Sequence, residues 1–331
     1  MVLVTGGTGL VGAHLLLHLI ENEESVCAIY RNIASIKKTK DLFILYKKES
    51  LFEKIKWIQA DIIDVPSLEK VFENVDYVYH CAALISFDPK DEAIIRKTNI
   101  EGTANIVNFC IDKSIKKLCF VSSIAALGDL KEHENIVTEE TEWNPEKAHS
   151  DYAISKYGAE MEIWRGQQEG LNAIIINPGV IIGPGFKDQG SGKLFKNVQN
   201  GMPFYTKGNT GFIAVTDVVK IMFDLVKSET KNERFILISE NVVYQDIFKA
   251  ITKASRIKAP SIYLSPFMMG VLWRIDWLFS TVFRQKRSLD RTTASASFSK
   301  ILYSNEKIKT TLGIEFIAIK QYVKEITSLL V

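Results

Sequence analysis

The pair of residues best suited to proton transfer is Tyr152 and Lys156, in the string Tyr152-Ala153-Ile154-Ser155-Lys156. A separation of four at the start of a helix-length segment puts both side chains on one face. A phenol with a reference pKa of ~10 is a poor acid or base at neutral pH. A neighbouring ammonium favours its phenolate and brings proton exchange within reach. Helical Tyr/Lys pairs are common, so this one gains weight from a second feature far upstream. Thr5-Gly6-Gly7-Thr8-Gly9-Leu10-Val11-Gly12 directly follows one apolar run and opens another. Glycines at 6, 9 and 12 let the turn tighten, let backbone approach a pyrophosphate, and let a helix pack closely on a strand. The free N–H groups and the helix dipole then attract the anion. A tight turn without a ligand is the plainer reading of glycines alone; a strand before and a helix after are what the phosphate reading requires.

The elements that must hold these residues are legible as short apolar runs alternating with helix-length stretches. The runs Val2–Thr5, Ser25–Tyr30, Ile55–Ala60, Tyr77–Cys81, Leu118–Val121 and Ala173–Ile176 have the pattern of strands buried on both faces. Between them, Leu10–Glu21, Ile36–Leu51, Asp91–Asp112 and Tyr152–Glu169 have helical spacing. This alternation predicts an α/β fold, a Rossmann-type doubly wound parallel sheet, with ligands beyond the carboxyl ends of its strands. After Pro178 the glycine-rich region 190–211 reads as loop, Thr216-Asp217 as the start of a helix, and Arg234–Ile238 as a returning strand. The predicted organisation is a dinucleotide-binding domain over 1–180 with returning elements around 212–240. A smaller, partly interleaved substrate lobe takes 181–211 and 241–331.

At the end of the second strand, where an acidic residue usually meets a ribose 2′-hydroxyl, the chain has Ala28-Ile29-Tyr30-Arg31. A cation there suits a 2′-phosphate, which favours NADP (NADPH) over NAD, with Lys37 and Lys38 as reinforcement. The plainer alternative is a solvated loop arginine.

The remaining candidates are weaker. His14 and His18, four apart, lack a third ligand and read as packing residues, so no metal site is assigned. His80 reads as structural. Cys27, Cys81, Cys110 and Cys119 are dispersed, without a C-x-x-C pair, and read as reduced buried thiols. With 41 basic and 39 acidic residues among 331, the net charge is +2, and 47% of positions are hydrophobic. Those values exclude the disordered class and weaken any nucleic-acid role. No signal-like segment opens the chain, so a cytoplasmic protein is expected. Pro266–Phe283 is apolar, but Arg274 and Asp276 near its middle make it a poor membrane span.

Taken together, the chain resembles an extended short-chain dehydrogenase/reductase of the NAD-dependent epimerase/dehydratase superfamily. The stations run in order: Gly6–Gly12, Asp61-Ile62, His80-Cys81-Ala82-Ala83, Thr98-Asn99-Ile100-Glu101-Gly102-Thr103, Val121-Ser122-Ser123, Tyr152 with Lys156, and Asn177-Pro178-Gly179-Val180. The resemblance implies that Asp61 and Ile62 contact the adenine ring and that Ala82 and Ala83 line the cofactor. It also places Asn99, Pro178 and Val180 beside the cofactor, with Thr8, Gly9, Leu10 and Val11 in the phosphate turn. Lys156 would hold the nicotinamide ribose, Ser123 the substrate oxygen, and Tyr152 the proton.

Within the superfamily, 4,6-dehydratases follow the active-site hydroxyl with an Asp-Glu pair; here Ser123 is followed by Ile124-Ala125-Ala126-Leu127-Gly128, which argues against dehydration. The Ser122–Gly128 string and Ala83-Leu84-Ile85-Ser86-Phe87 are similar to the branch of dihydroflavonol reductases, aldehyde and ketone reductases and hydroxysteroid dehydrogenases. The expected activity is NADP-dependent reduction of a ketone, aldehyde or sterol-like compound. The alternatives are a nucleotide-sugar epimerase with tightly bound NAD and a non-catalytic dinucleotide sensor or scaffold. Phe267, Met268, Met269, Leu272, Trp273, Trp277, Phe279 and Phe283 could wall an apolar pocket or form the lobe's own core. Arg284, Lys286, Arg287 and Arg291 could give 266–291 a basic edge at a membrane surface, although solvated charges are the commoner explanation. The resemblance implies a homodimer through the helices carrying Asn99 and Tyr152.

Overall fold

The computed structural model describes residues 1–86, 88–282 and 297–329. The expectations placed on Phe87, Phe283, Arg284, Lys286, Arg287 and Arg291, and on the side chains of Trp277 and Phe279, lie outside the described residues. The strands are β1 (Val2–Thr5), β2 (Val26–Tyr30), β3 (Lys56–Gln59), β4 (Tyr77–His80), β5 (Lys117–Val121), β6 (Ile136–Val137) and β7 (Ala173–Pro178). They continue as β8 (Val180–Ile182), β9 (Phe204–Tyr205), β10 (Asn209–Ala214), β11 (Arg234–Leu237), β12 (Glu240–Val243), β13 (Ile262–Tyr263) and β14 (Leu302–Tyr303).

Seven strands form one parallel sheet in the order β11-β7-β5-β4-β1-β2-β3. The order runs one way from β1 to β3 and the other way from β4 onward, so the crevice between β1 and β4 is the switch point where a ligand sits. Every residue of β1, β5 and β7 is buried, as the continuous apolar runs predict, whereas β3 at the edge exposes Lys56 and Gln59.

Three local departures have physical causes. The Ile36–Leu51 stretch breaks after Leu45, where Lys47 adopts φ 57, and resumes as Glu49–Phe52. The stretch 92–112 is helical throughout, but Lys97–Glu101 is a π-helical turn that carries Thr98 and Asn99. The expected loop at 190–211 is corrected: Gly190–Gln199 is a helix, because its glycines lie in the first turn and Phe195 and Val198 bury one face behind them.

Arg234–Leu237 returns to the main sheet beside β7 as expected. β8, β10 and β12 form a three-stranded sheet, and β9 with β13 and β6 with β14 make short parallel pairs. One apolar cluster runs from β1 and the Leu10–Glu21 helix through the Val215–Lys227 helix to Ile319, Tyr322, Val323 and Ile326 near the carboxyl end. The later segments therefore share a core with the sheet. In the Pro266–Val282 helix, Met269 is buried with Leu264, against partly buried Leu272 and Trp273, whereas Phe267 is 81% exposed. That splits the apolar run into a core face and an open face. Among the described residues no helix is long and apolar enough to cross a membrane.

Candidate active site

The glycine turn closes the carboxyl end of β1. Gly6 has φ +70, and a Cβ there would lie 2.6 Å from the Ala82 nitrogen, so only glycine fits between this turn and the segment after β4. A Cβ on Gly12 would lie 2.2 Å from the Gly6 carbonyl oxygen, which explains how the helix start comes to rest on the turn. Thr8 lies between, and Gly9 N donates to Gly6 O at 3.0 Å. The Leu10–Glu21 helix begins without a side-chain cap or an acidic residue in its first turn, which suits its N–H groups to a phosphate. Leu10 and Val11 are part-buried against the core, so their contribution to a phosphate site is through backbone.

His80 is fully buried between Thr5 Oγ1 (Nδ1, 2.7 Å) and Thr103 Oγ1 (Nε2, 3.0 Å), and burial pushes its pKa down to about 3. It is a neutral strut, as the sequence suggests. Thr5 Oγ1 also accepts from Ala82 N at 3.2 Å, so the strut fixes the start of the Ala82-Ala83 segment. Asn99, 2% exposed, commits its amide to structure. Oδ1 accepts from Leu84 N at 2.7 Å, while Nδ2 donates to Leu84 O at 3.0 Å and to Ser155 Oγ at 2.9 Å. It therefore clamps the cofactor-facing loop to the Tyr152 helix. Ser155, which passes the clamp on by donating to Tyr152 O at 2.8 Å, was not singled out from the sequence.

At the adenine end, Ile62 is buried against Gly102, and its carbonyl accepts from Asn105 Nδ2 at 2.9 Å. Its side chain therefore belongs to the core. Arg31 Nη1 lies 3.8 Å from Asp61 Oδ2 at the ends of β2 and β3, so the structure brings these two together. Lys37 is instead taken up by Asp41, at 2.7 Å. Pro178 ends β7 fully in the sheet, and Val180 follows it half-buried in β8.

The Asp151–Gln168 helix starts at Ser150, whose side chain accepts from Ala153 N at 3.1 Å. This cap places Tyr152 in the first turn, where the side chain of Ser123 acts on its phenol. Ser123 Oγ also accepts from Ala125 N at 3.1 Å as the cap of the short turn after β5. Lys156, 3% exposed, donates from Nζ to the Val121 carbonyl at 2.8 Å and lies 5.0 Å from the Phe120 ring centroid. Burial lowers its pKa to about 8, with Glu160 and then Cys81 acting in the opposite direction. Burial pushes the Tyr152 phenol up, and the neighbouring Ser123 pulls it back in part. This departs from the expected lysine-depressed phenol: Lys156 is turned toward the Val121 carbonyl, and burial governs the tyrosine.

Beneath this trio is a buried group that the sequence reading passed over. Glu160, fully buried one turn beyond Lys156, accepts from Asn177 Nδ2 at 2.6 Å and pairs with Arg234 at 3.3 Å. The spacing of four from Lys156 was the available signal for Glu160. Arg234, far along the chain, offered none. The lone packing histidines resolve as expected: His14 meets Tyr46 edge-on and His18 meets Phe223 edge-on.

Residues 2–237 match the NAD dependent epimerase/dehydratase family. The chain is 27% identical over 325 residues to a Synechocystis sp. protein provisionally named dihydroflavonol 4-reductase, covering 96% of this chain and 91% of that one. It is 26% identical over 266 residues to anthocyanidin reductase of Arabidopsis thaliana, covering 74% and 77%. The crystal structure of gox2253 superposes with a TM-score of 0.81 at 24% identity, covering 100% of this chain and 97% of that one. UDP-glucose 4-epimerase of Thermotoga maritima superposes at 0.77 and 19% identity, covering 99% and 98%. The sheet order and the glycine turn define a dinucleotide-binding enzyme of the extended short-chain dehydrogenase/reductase type. The chain belongs to the NAD dependent epimerase/dehydratase family within it.

A nicotinamide dinucleotide fits the residues present. The glycines of the turn at Gly6–Gly12 have no side chain where a pyrophosphate must approach, and the buried Lys156 ammonium is held by the Val121 carbonyl at the carboxyl end of β5 in the same sheet.

Proposed function

We propose that this chain is an NADP-dependent carbonyl reductase, reversible as an alcohol dehydrogenase, acting on an apolar ketone, aldehyde or sterol-like substrate. The observation that carries the reading is the convergence of three groups: Ser123 just after β5, close enough to act on the Tyr152 phenol, and Lys156 buried one turn along the same helix and held to the Val121 carbonyl of β5. The cofactor supplies the hydride when bound. Ser123 and Tyr152 direct two hydroxyl groups at the substrate oxygen, where negative charge develops in a site sheltered from water. A phenol held high in pKa by burial keeps its proton at neutral pH and gives it up only to that alkoxide. Lys156 remains largely an ammonium at neutral pH and holds the nicotinamide ribose. Gly6, Thr8, Gly9, Gly12, Ala82 and Ala83 bind the dinucleotide along the crevice, with Asp61 and the Ile62 backbone at the adenine.

Several of the matched relatives are named for reductases, among them bifunctional dihydroflavonol 4-reductase/flavanone 4-reductase of Malus domestica, 31% identical over 193 residues. A further relative is named sterol demethylase protein B, of Methylococcus capsulatus, 23% identical over 269 residues. These names support a cyclic, weakly polar substrate, as does the apolar Pro266–Val282 helix in the second lobe. Arg31 supports NADP over NAD. A panel of aldehydes, ketones, sterols and nucleotide sugars, followed by NADPH absorbance, tests the reading. Consumption with a carbonyl compound supports it, and conversion of a nucleotide sugar without net cofactor change replaces it with an epimerase.

The reading includes a cytoplasmic homodimer through the helices that carry Asn99 and Tyr152. Ile94 and Met161, 54% and 49% exposed on those helices, are consistent with a covered face. Sedimentation of wild type and Met161→Asp tests it: a dimer that dissociates supports the interface, and an unchanged dimer places it elsewhere.

A further inference from the structure

Glu160 sits between the two halves of the chemical site. Its Oε1 accepts from Asn177 Nδ2 at 2.6 Å, and the same nitrogen donates to the Ser123 carbonyl at 2.9 Å. Its Oε2 meets Arg234 Nη1 at 3.3 Å, and Arg234 is held in turn by the Glu139 carbonyl and lies 5.5 Å from the Trp164 ring centroid. Both oxygens act as acceptors, the pattern of an ionised carboxylate. Burial pushes the carboxyl up, and the Arg234 guanidinium counters it.

The groups that face Lys156 come from several elements. Tyr152 and Glu160 share its helix, His80 and Cys81 lie at the end of β4, and the Phe120 ring lies on β5. His80 is neutral above a pKa of about 3, and the Cys81 thiol is pushed up to about 12. Tyr152 is held in its phenol form. Glu160 lies four residues beyond Lys156 on the same face of one helix, with both side chains buried. Through the neutral range it is thus the anion that opposes the cost of burying the ammonium, with Arg234 behind it on β11.

We infer that Glu160 is a positioning residue with two arms: one orients Ser123 through Asn177, and the other keeps Lys156 charged for cofactor binding. The inference rests on the proposed dinucleotide function, and the cofactor-binding arm of its test does not require the substrate to be known. NADPH fluorescence titrations of the purified protein from pH 6 to 10 are expected to show affinity falling through a limb near 8 as Lys156 loses its proton. Lys156→Met removes the limb. Glu160→Gln moves it down by about one to two pH units, as expected for losing an opposite charge nearby. Glu160→Gln leaves the Arg234 guanidinium without its carboxylate, so Glu160→Gln/Arg234→Met serves where the single variant does not fold, because removing both members of an ion pair with a buried partner is commonly tolerated. Asn177→Ala is expected to lower kcat at least tenfold and leave the limb in place. A limb that stays near 8 in the Glu160 variants overturns the inference while the dinucleotide function stands. A wild-type protein that binds neither NADPH nor NADH overturns both.

Discussion

Arg31 and Asp61 face each other across the carboxyl ends of β2 and β3, with Nη1 3.8 Å from Oδ2. The arginine side chain is 61% exposed, so this is a loose surface pair worth little by itself. It does keep a cation beside Asp61, at the edge of the proposed adenine site. Replacing Arg31 by Ala should weaken NADPH binding about tenfold, or ~1.4 kcal/mol, and leave NADH within twofold. Fluorescence titration of both cofactors checks this. An unchanged preference for NADPH would remove Arg31 from cofactor selection.

The acid stability of the protein should report its buried histidines. His14 is buried and its pKa is lowered to about 4, while its ordinary value is 6.5. The unfolded chain therefore takes up a proton that the folded one refuses. Stability is lost as pH falls from 6.5 toward 4, and it is fully present above that window. His14→Gln should flatten this loss by about 2–3 kcal/mol between pH 7 and 4.5. Urea unfolding at the two pH values measures it, and parallel losses in both proteins would show that His14 does not contribute.

Gly12→Ala should be more damaging than an ordinary helix substitution to alanine. The added methyl would sit 2.2 Å from the Gly6 carbonyl oxygen, against backbone rather than a side chain that can yield. A loss of about 1–3 kcal/mol is expected from the overpacking. NADPH should also fail to raise Tm, because the displaced turn is the phosphate site. A variant that keeps the wild-type cofactor-induced rise in Tm would separate the turn from dinucleotide binding.

The parts of this molecule that could be read from sequence are those whose determinants lie close together in the chain. β1, β5 and β7 are continuous apolar runs because both their faces are covered, and Tyr152 and Lys156 share a face by spacing alone. The glycine turn could be read because strand, turn and helix follow one another without a break. What escaped depends on distant partners. Asn99 looks like a cofactor ligand in a string of letters, but the π-turn aims its amide at Leu84 and Ser155. Glu160 acquires its meaning from Arg234, 74 residues away. A phenolate-favouring lysine follows from spacing, yet spacing does not reveal that burial pushes the half-buried Tyr152 phenol up and that Lys156 points to a carbonyl. Gly190–Gln199 is a helix despite its glycines, because Phe195 and Val198 give it a buried apolar face that glycine content does not reveal.

Asn99→Ala would leave the Leu84 amide and the Ser155 hydroxyl without their partner in a buried setting. A destabilisation of about 2–4 kcal/mol follows from several lost buried hydrogen bonds. Thermal unfolding monitors it, and a loss below ~0.5 kcal/mol would show that water replaces the clamp without penalty.

The central claim is that Tyr152 delivers a proton during net hydride transfer. The most direct measurement follows NADPH absorbance and product together, with a carbonyl substrate from the panel, in wild type and Tyr152→Phe. The account predicts one NADPH consumed per alcohol formed in wild type. In Tyr152→Phe it predicts turnover reduced by about a thousandfold or more, with NADPH binding nearly intact. Product formed without net NADPH consumption, or wild-type turnover in Tyr152→Phe, would contradict it.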